Sequence, residues 1–209
     1  MKTIALISQK GGAGKSTLAR QLAVLAGQEG PSWIIDRDPQ QTSAKWMRRR
    51  QENAPGAEQP ELIDLEGTPL TKAVTALKAQ AGTLFIDTRP AVTEQEAEAA
   101  RVADLVLVPV KPSLDDLEAV GDTLTMLRKL NRPAILIVNL AKNERRAIEA
   151  RAALAAHPVR VCPHHIADRA AYLDATLEGR GVGEMQGAAA KAAEAELQRV
   201  WTWVQEAMQ

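Results

Sequence analysis

The chain has 209 residues, 45% hydrophobic and 25% charged, which is ample for one globular domain with a sizeable core and few for two. Its 26 Lys and Arg balance 26 Asp and Glu, which excludes a wholly basic nucleic-acid binder but not a local patch. The single cysteine, Cys162, excludes an intrachain disulfide framework and fits a reducing cytoplasm, and with four tryptophans, one tyrosine and one phenylalanine a base-stacking surface is not expected.

In chain order, Met1 to Ser8 is too short for a signal-peptide core and reads as a first strand over 2–8. A helix at 16–29 follows, then a strand at 32–36, a helix at 42–53, a strand at 61–65 and a helix at 69–81. Next come a strand at 83–87, a helix at 93–103, a strand at 104–110 and a helix at 114–130. The last elements are a strand at 133–139, a helix at 143–156, a strand at 159–162 and helices at 168–178 and 187–207. This alternation predicts an α/β fold, a single domain over 1–209 with a mostly parallel sheet of roughly seven strands and helices on both faces. Residues 83–87 and 134–138 are apolar on both faces and should be central strands. Residues 54–60 read as an exposed connection, and no run approaches the roughly 20 apolar residues of a membrane span.

The strongest signal is Gln9-Lys10-Gly11-Gly12-Ala13-Gly14-Lys15-Ser16-Thr17, between a strand and an amphipathic helix. Glycines let backbone N–H groups turn inward around phosphate oxygens, and a helix N-terminus adds partial positive charge. Lys15 can reach the β- and γ-phosphates, and Ser16 supplies a hydroxyl for Mg²⁺. Gln9 stands where the strict phosphate-loop pattern has its first glycine, and Lys10 adds a second lysine.

Read with that second lysine, the segment resembles the deviant phosphate loop of the ParA/MinD family of partition and positioning ATPases. The resemblance implies a P-loop NTPase fold, nucleotide contacts from Gly11 through Thr17, and a Lys10 that reaches across a dimer interface to the partner's nucleotide. Two tetra-anionic nucleotides brought face to face give such a cation its use.

Asp36-Arg37-Asp38-Pro39-Gln40 closes the second strand and is similar to the family's Asp-x-Asp-Pro-Gln motif. The resemblance implies that Asp38 orients the attacking water and that Asp36 sits near the magnesium shell; Gln41 stands where the family usually has glycine. Hydrolysis that relies on positioning by a weak base should be slow. Asp87 ends an apolar strand in the manner of a carboxylate that holds Mg²⁺ through water. Arg89 has three roles open to it: steering a partner, contacting nucleotide, or standing in solvent. Residues 108–113 look like the family's Pro-x-x-Pro-Ser segment, with Asp115 or Asp116 near the dimer face, although a proline-marked turn with a serine cap accounts for the same residues. Asn139 ends the sixth strand where relatives place an amide that reads the adenine edge, and no Asn-Lys-x-Asp guanine signature follows, so ATP is the expected nucleotide.

The resemblance is closest to the short ParF-like partition ATPases, and with a strand at residue 2 no helix-turn-helix is expected ahead of it. It implies an Mg²⁺-dependent ATPase that dimerises on ATP, binds nucleoid DNA non-specifically in the cytoplasm, and is released when a centromere-binding ParB/ParG-like partner stimulates hydrolysis. The alternative is a MinD-like or protein-cluster positioning ATPase. The tail stripe Leu197, Trp201, Val204 and Met208 carries an acidic balance, which points to packing on the body or on a partner, so no membrane is expected. Two basic clusters are candidate DNA contacts: Lys142, Arg145, Arg146, Arg151, Arg160 and Arg169, and Lys45 with Arg48 to Arg50. His157, His164 and His165 show no metal-ligand spacing.

Overall fold

A strand that is apolar at every position satisfies a helix layer on each face only from the interior of a sheet. The computed structural model, which describes residues 1–209, puts such strands there. The elements are β1 (Lys2–Leu6), α1 (Lys15–Gly27), β2 (Ser32–Asp36), α2 (Thr42–Asn53), β3 (Glu61–Leu62), α3 (Leu70–Leu77), β4 (Thr83–Asp87) and α4 (Glu94–Val102). They continue with β5 (Leu105–Val110), α5 (Leu114–Lys129), β6 (Ala134–Val138), α6 (Glu144–Leu154), β7 (Arg160–Val161), α7 (Ala170–Leu177), a 3-10 turn at Val182–Glu184 and α8 (Ala188–Ala207). The sheet order is β3-β2-β4-β1-β5-β6-β7, and every neighbouring pair is parallel. All strand C-termini therefore lie at one edge.

Alternate strand residues feed two cores. Ile4, Leu6, Ile34, Phe85, Leu107 and Ile137 face one of 28 buried residues that includes α1, α7 and α8. Ala5, Ile7, Ile35, Ile86, Val108 and Val138 face the other, of 23 residues, against α3 to α6. Because the two layers are of similar size, the central strands are sealed from both sides and their polar ends can sit out of water.

Three expected elements are shorter than the pattern suggested. β3 and β7 are edge strands with a neighbour on one side only. Beyond Ile63, which donates to the Ile34 carbonyl at 2.8 Å, the chain turns as the Asp64 carboxylate takes the Glu66 N–H at 3.0 Å. Helix α3 stops at Leu77 because Lys78 and Gln80 bond to carbonyls only three residues back, Thr75 and Leu77. The 3-10 turn at Val182–Glu184 had no periodic signal of its own.

The apolar stripe of α8 is spent on the body. Leu197, Val200, Trp201 and Val204 are buried in the α1 side core, and Trp201 lies 5.8 Å from Phe85, ring centre to ring centre. The Gln205 amide donates to Glu29 at 2.6 Å, tying the end of α8 to the residues after α1. No helix is long and apolar enough to cross a membrane. Trp201→Ala should cost about 3–5 kcal/mol in urea denaturation, as for other fully buried large side chains; a loss below about 1 kcal/mol would mean that α8 is not part of the core.

Candidate functional site

The parallel register sets Asp36 opposite Asp87 and Leu6 beside Asp87, so the ends of β2, β4 and β1 meet at one crevice of the sheet edge, where open α/β sheets hold ligands. The loop from Ile7 to Gly14 leaves β1 at that crevice and delivers the start of α1 to it. Helix α1 begins with no side-chain cap; its flanking residue Gly14 is left-handed at φ 85°. No backbone N–H from Gly11 through Thr17 is bonded within the chain; the first donor beyond them, Leu18, bonds to Gly14. A run of convergent, unspent N–H donors at a helix N-terminus is an anion cradle.

Lys15 is 6% exposed and folds back over this loop, donating to the Ser8 carbonyl at 3.1 Å and the Lys10 carbonyl at 3.2 Å. Burial lowers its pKa, and Asp87, Asp38 and Glu96 oppose that effect. Lys10 has its ammonium free of any hydrogen bond or ion pair, while its carbonyl serves Lys15.

Asp87 is fully buried. Its Oδ2 accepts from the Ser43 hydroxyl at 2.7 Å, whereas its Oδ1 has no partner. Burial pushes its pKa from 3.8 to about 6; the Ser43 and Ser16 hydroxyls and the Arg20 guanidinium pull it back down, and Asp36 pushes it further up. An orphaned carboxylate oxygen beside the Ser16 hydroxyl fits a divalent cation. No group of three or more His, Cys, Asp or Glu could hold a metal without other ligands, so such a cation would need phosphate oxygens and water as well, in the way of Mg²⁺.

Asp36 lies across from Asp87 with both oxygens engaged. Its Oδ1 accepts from the Asp38 N–H at 3.0 Å, and its Oδ2 accepts from the Ser43 and Ala44 N–H groups at 2.9 Å each. It caps α2 from outside the helix and so fixes where Asp38 and Ser43 start relative to Asp87. Asp38, half-buried, accepts from the Gln40 N–H at 2.9 Å through Oδ1 and leaves Oδ2 free. Gln41 takes the left-handed conformation, φ 52°, so the turn that glycine makes easily is kept here at some steric cost.

Asn139 has a partner that its place in the sequence did not show. Its amide donates to the Ala13 carbonyl at 2.8 Å, and the residue is 3% exposed. A Cβ on Gly14 would stand 2.3 Å from that amide nitrogen, so Gly14 is what lets Asn139 brace the phosphate loop from below. Set so, the amide nitrogen holds the loop. The Thr17 hydroxyl accepts from Arg20 at 3.2 Å. Arg20, itself buried and with its pKa lowered to about 10 by that burial, links the loop helix to the Thr42 carbonyl at 3.3 Å. Arg89 pairs with the fully buried Glu96 at 3.3 Å and donates to Thr93 at 2.9 Å, which locks the start of α4. Arg20, Ser43 and Glu96 carried no motif; only their burial marks them.

The two expected basic clusters are mostly spent. Arg145 and Arg146 pair with Glu149, Arg151 with Glu144 and Arg169 with Glu196. Arg50 is 2% exposed and forks onto Glu184, and Arg49 donates to the Thr176 carbonyl. Arg160 of the first cluster is unpaired and joins Arg128 and Arg132, which the clusters did not include, in lining a groove of about 490 Å³ with His157, at the opposite edge of the sheet from the phosphate loop. Arg160 is held there by stacking 4.9 Å over Trp203.

Comparison with known proteins gives consistent relatives. The family model described as the CobQ/CobB/MinD/ParA nucleotide binding domain matches residues 4–182. Maintenance of carboxysome distribution protein A of Gloeobacter kilaueensis is 27% identical over 205 residues, covering 95% of this chain and 92% of that protein. Protein ParA of Rhizobium radiobacter is 27% identical over 132 residues, 61% of this chain and 56% of that one. Among solved structures, the ATP complex of a Cyanothece McdA variant superposes with TM-score 0.73 at 19% identity, covering 100% and 96% of the two chains. The Mg-ADP complex of the septum site-determining protein MinD from Pyrococcus horikoshii superposes with TM-score 0.75 at 18% identity, covering 100% and 98%. At those identities the structures establish a shared fold.

The Asp87 geometry has a consequence for stability. A carboxyl whose pKa rises from 3.8 to about 6 on folding favours the fold below pH 3.8, and that contribution is lost as pH rises through about 6. Asp87→Asn should therefore stabilise the metal-free protein above pH 7 by about 1–3 kcal/mol, and by little below pH 4. Urea denaturation in EDTA across that range measures it.

Proposed function

The chain belongs to the CobQ/CobB/MinD/ParA nucleotide-binding family, and from that premise we propose that it is an ATP-driven switch that dimerises on nucleotide and partitions a DNA cargo. The observation that carries the reading is the phosphate loop: unspent N–H donors from Gly11 through Thr17, a buried Lys15, and a second, unpaired lysine at position 10.

On this reading Lys15 exchanges the carbonyls of Ser8 and Lys10 for the β- and γ-phosphates, and its release frees Lys10 to move. Lys10 then reaches the nucleotide of a second copy. Asp87 and Ser16 would hold Mg²⁺, which when bound neutralises phosphate charge. Asp38, with one oxygen committed to Gln40 and the other free, orients the attacking water. Its chemistry is positioning, so turnover is slow and open to stimulation by a partner. Support for ATP, and for Mg²⁺, comes from the complexes named for the McdA and MinD neighbours.

For the DNA surface we assign the groove of Arg128, Arg132 and Arg160, because these three arginines share one groove and have no carboxylate partner, whereas Arg50, Arg145, Arg146, Arg151 and Arg169 are paired with glutamates. A second reading has its own support: the carboxysome distribution relative aligns over 95% of this chain, whereas ParA aligns over 61%. The cargo would then be a protein assembly carried over the same DNA. Deleting the gene separates the two, since the first reading predicts loss of plasmid or chromosome inheritance and the second predicts clustered protein bodies with inheritance intact.

Lys10→Ala should bind ATP and remain monomeric in light scattering, while the wild-type chain dimerises; a Lys10→Ala chain that dimerised normally would remove the switch. Arg132→Glu together with Arg160→Glu should weaken ATP-dependent DNA binding and lower the slope of log affinity against log salt by about one for each phosphate that is no longer neutralised. An unchanged slope would place the DNA elsewhere.

A further inference from the structure

We propose that Lys111 is a further phosphate-binding residue of the nucleotide site, contributed by the turn between β5 and α5. The inference rests on the reading that the loop binds a nucleotide. Lys111 follows the last residue of a central strand. Its backbone is pinned on both sides: the Val110 carbonyl accepts from Asn139 at 2.9 Å, and the Lys111 carbonyl accepts from Ser113 at 2.8 Å. Pro112 stiffens the turn between those bonds. A side chain that starts from so fixed a point is aimed by the fold.

It is aimed at the phosphate loop. The Lys111 ammonium lies 3.2 Å from where a Cβ on Gly12 would stand, and Gly12 itself has φ +74°. Lys111 is half-buried and makes no ion pair or hydrogen bond with its side chain, although acidic residues are close in sequence. Asp115 and Asp116 open α5, and Asp116 is turned to Ser113 instead. A lysine with no more than a solvation role would point outward or take one of those carboxylates.

Charge makes the same point. Lys10, Lys15 and Lys111 surround one loop whose own N–H groups also point positive ends inward. Burial pushes Lys15 toward its neutral form, opposed by Asp87, Asp38 and Glu96, while the Lys10 and Lys111 side chains have no carboxylate partner. A polyanion among the three supplies the counter-charge that two of them lack. Sheet order separates their tasks. β4 and β2, which carry Asp87 and Asp36, lie on one side of β1, and β5 lies on the other. Asp87 with its cation serves one flank of a polyphosphate, and Lys111 serves the flank turned away from it. The ligand class is a nucleoside di- or triphosphate, since a monophosphate held at the base of the loop leaves that flank empty.

The test is titration calorimetry of the full chain with ATP, ADP and AMP, comparing wild type, Lys111→Gln, Lys111→Arg and Lys15→Ala, with ADP titrated at concentrations where the chain is monomeric. Removing a charge-assisted hydrogen bond should weaken ATP and ADP binding about tenfold or more in Lys111→Gln. AMP should change little, and Lys111→Arg should restore affinity to within about threefold of wild type. Thermal melting confirms that both variants are folded. Unchanged ATP and ADP affinities in a folded Lys111→Gln chain would overturn the proposal, including the case where only dimerisation is abolished, which would make Lys111 an interface residue. A wild-type chain that binds none of the three nucleotides, or a Lys15→Ala chain that binds them normally, would instead sink the reading of the loop itself.

Discussion

A carboxylate taken out of water must be paired, protonated or bound to a cation, and Asp87 is none of these in full. It stands at the end of a strand sealed by two cores, with one oxygen on Ser43 and the other empty. The surrounding arrangement answers to that constraint. Asp36 cannot relieve Asp87 and, as a second negative charge, raises its pKa, so its oxygens are kept on backbone N–H groups that start α2. Starting α2 there brings Ser43 to Asp87. Arg20 supplies a positive charge that lowers the Asp87 pKa, at the expense of its own desolvation, and ties the helix behind the phosphate loop to the start of α2. A ligand that completes the Asp87 shell therefore acts on two helix starts at once and stabilises the native state by mass action.

The same constraint explains how much could be read from the chain beforehand. The strands, their parallel order of layers and the loop from Lys10 to Thr17 were legible because each is a local pattern: apolar runs with helical text between, then glycines ahead of Lys15-Ser16. Asp87 was legible for the same reason. What was not legible depends on pairs distant in sequence. Asn139 was marked by the family resemblance alone; its bond to the Ala13 carbonyl, 126 residues away, had no local signal, and the contact exists because Gly14 has no side chain. Arg50 looked like part of a basic run, yet Glu184 claims it. Helix ends failed where the residues continued a period that the backbone did not, as after Leu77.

Net charge shows a similar gap between composition and arrangement. The equal totals of acid and base describe the whole chain and say little about any face of it. Helix α6 spends its arginines on its own glutamates, while the groove at the far edge keeps three arginines free of carboxylates. Exposed i to i+4 pairs contribute only tenths of a kcal/mol each, but they cancel a field that would otherwise attract phosphate. Counting basic residues along the sequence therefore does not tell which of them keep their charge unpaired.

The two edges of the sheet then have separate tasks in the proposed switch. The C-terminal edge holds nucleotide and, through Lys10, a second copy of the chain; the N-terminal edge offers a small basic groove. One such groove with three arginines on a neutral body binds a polyanion weakly and loses it readily to salt. A dimer carries two such grooves on the edges turned away from its nucleotide face, and in the proposed switch occupancy rises where one stretch of DNA engages both and falls when the dimer parts. On that proposal, neutrality of the whole would keep the single copy from holding on, and weak binding by each half would make control by nucleotide possible.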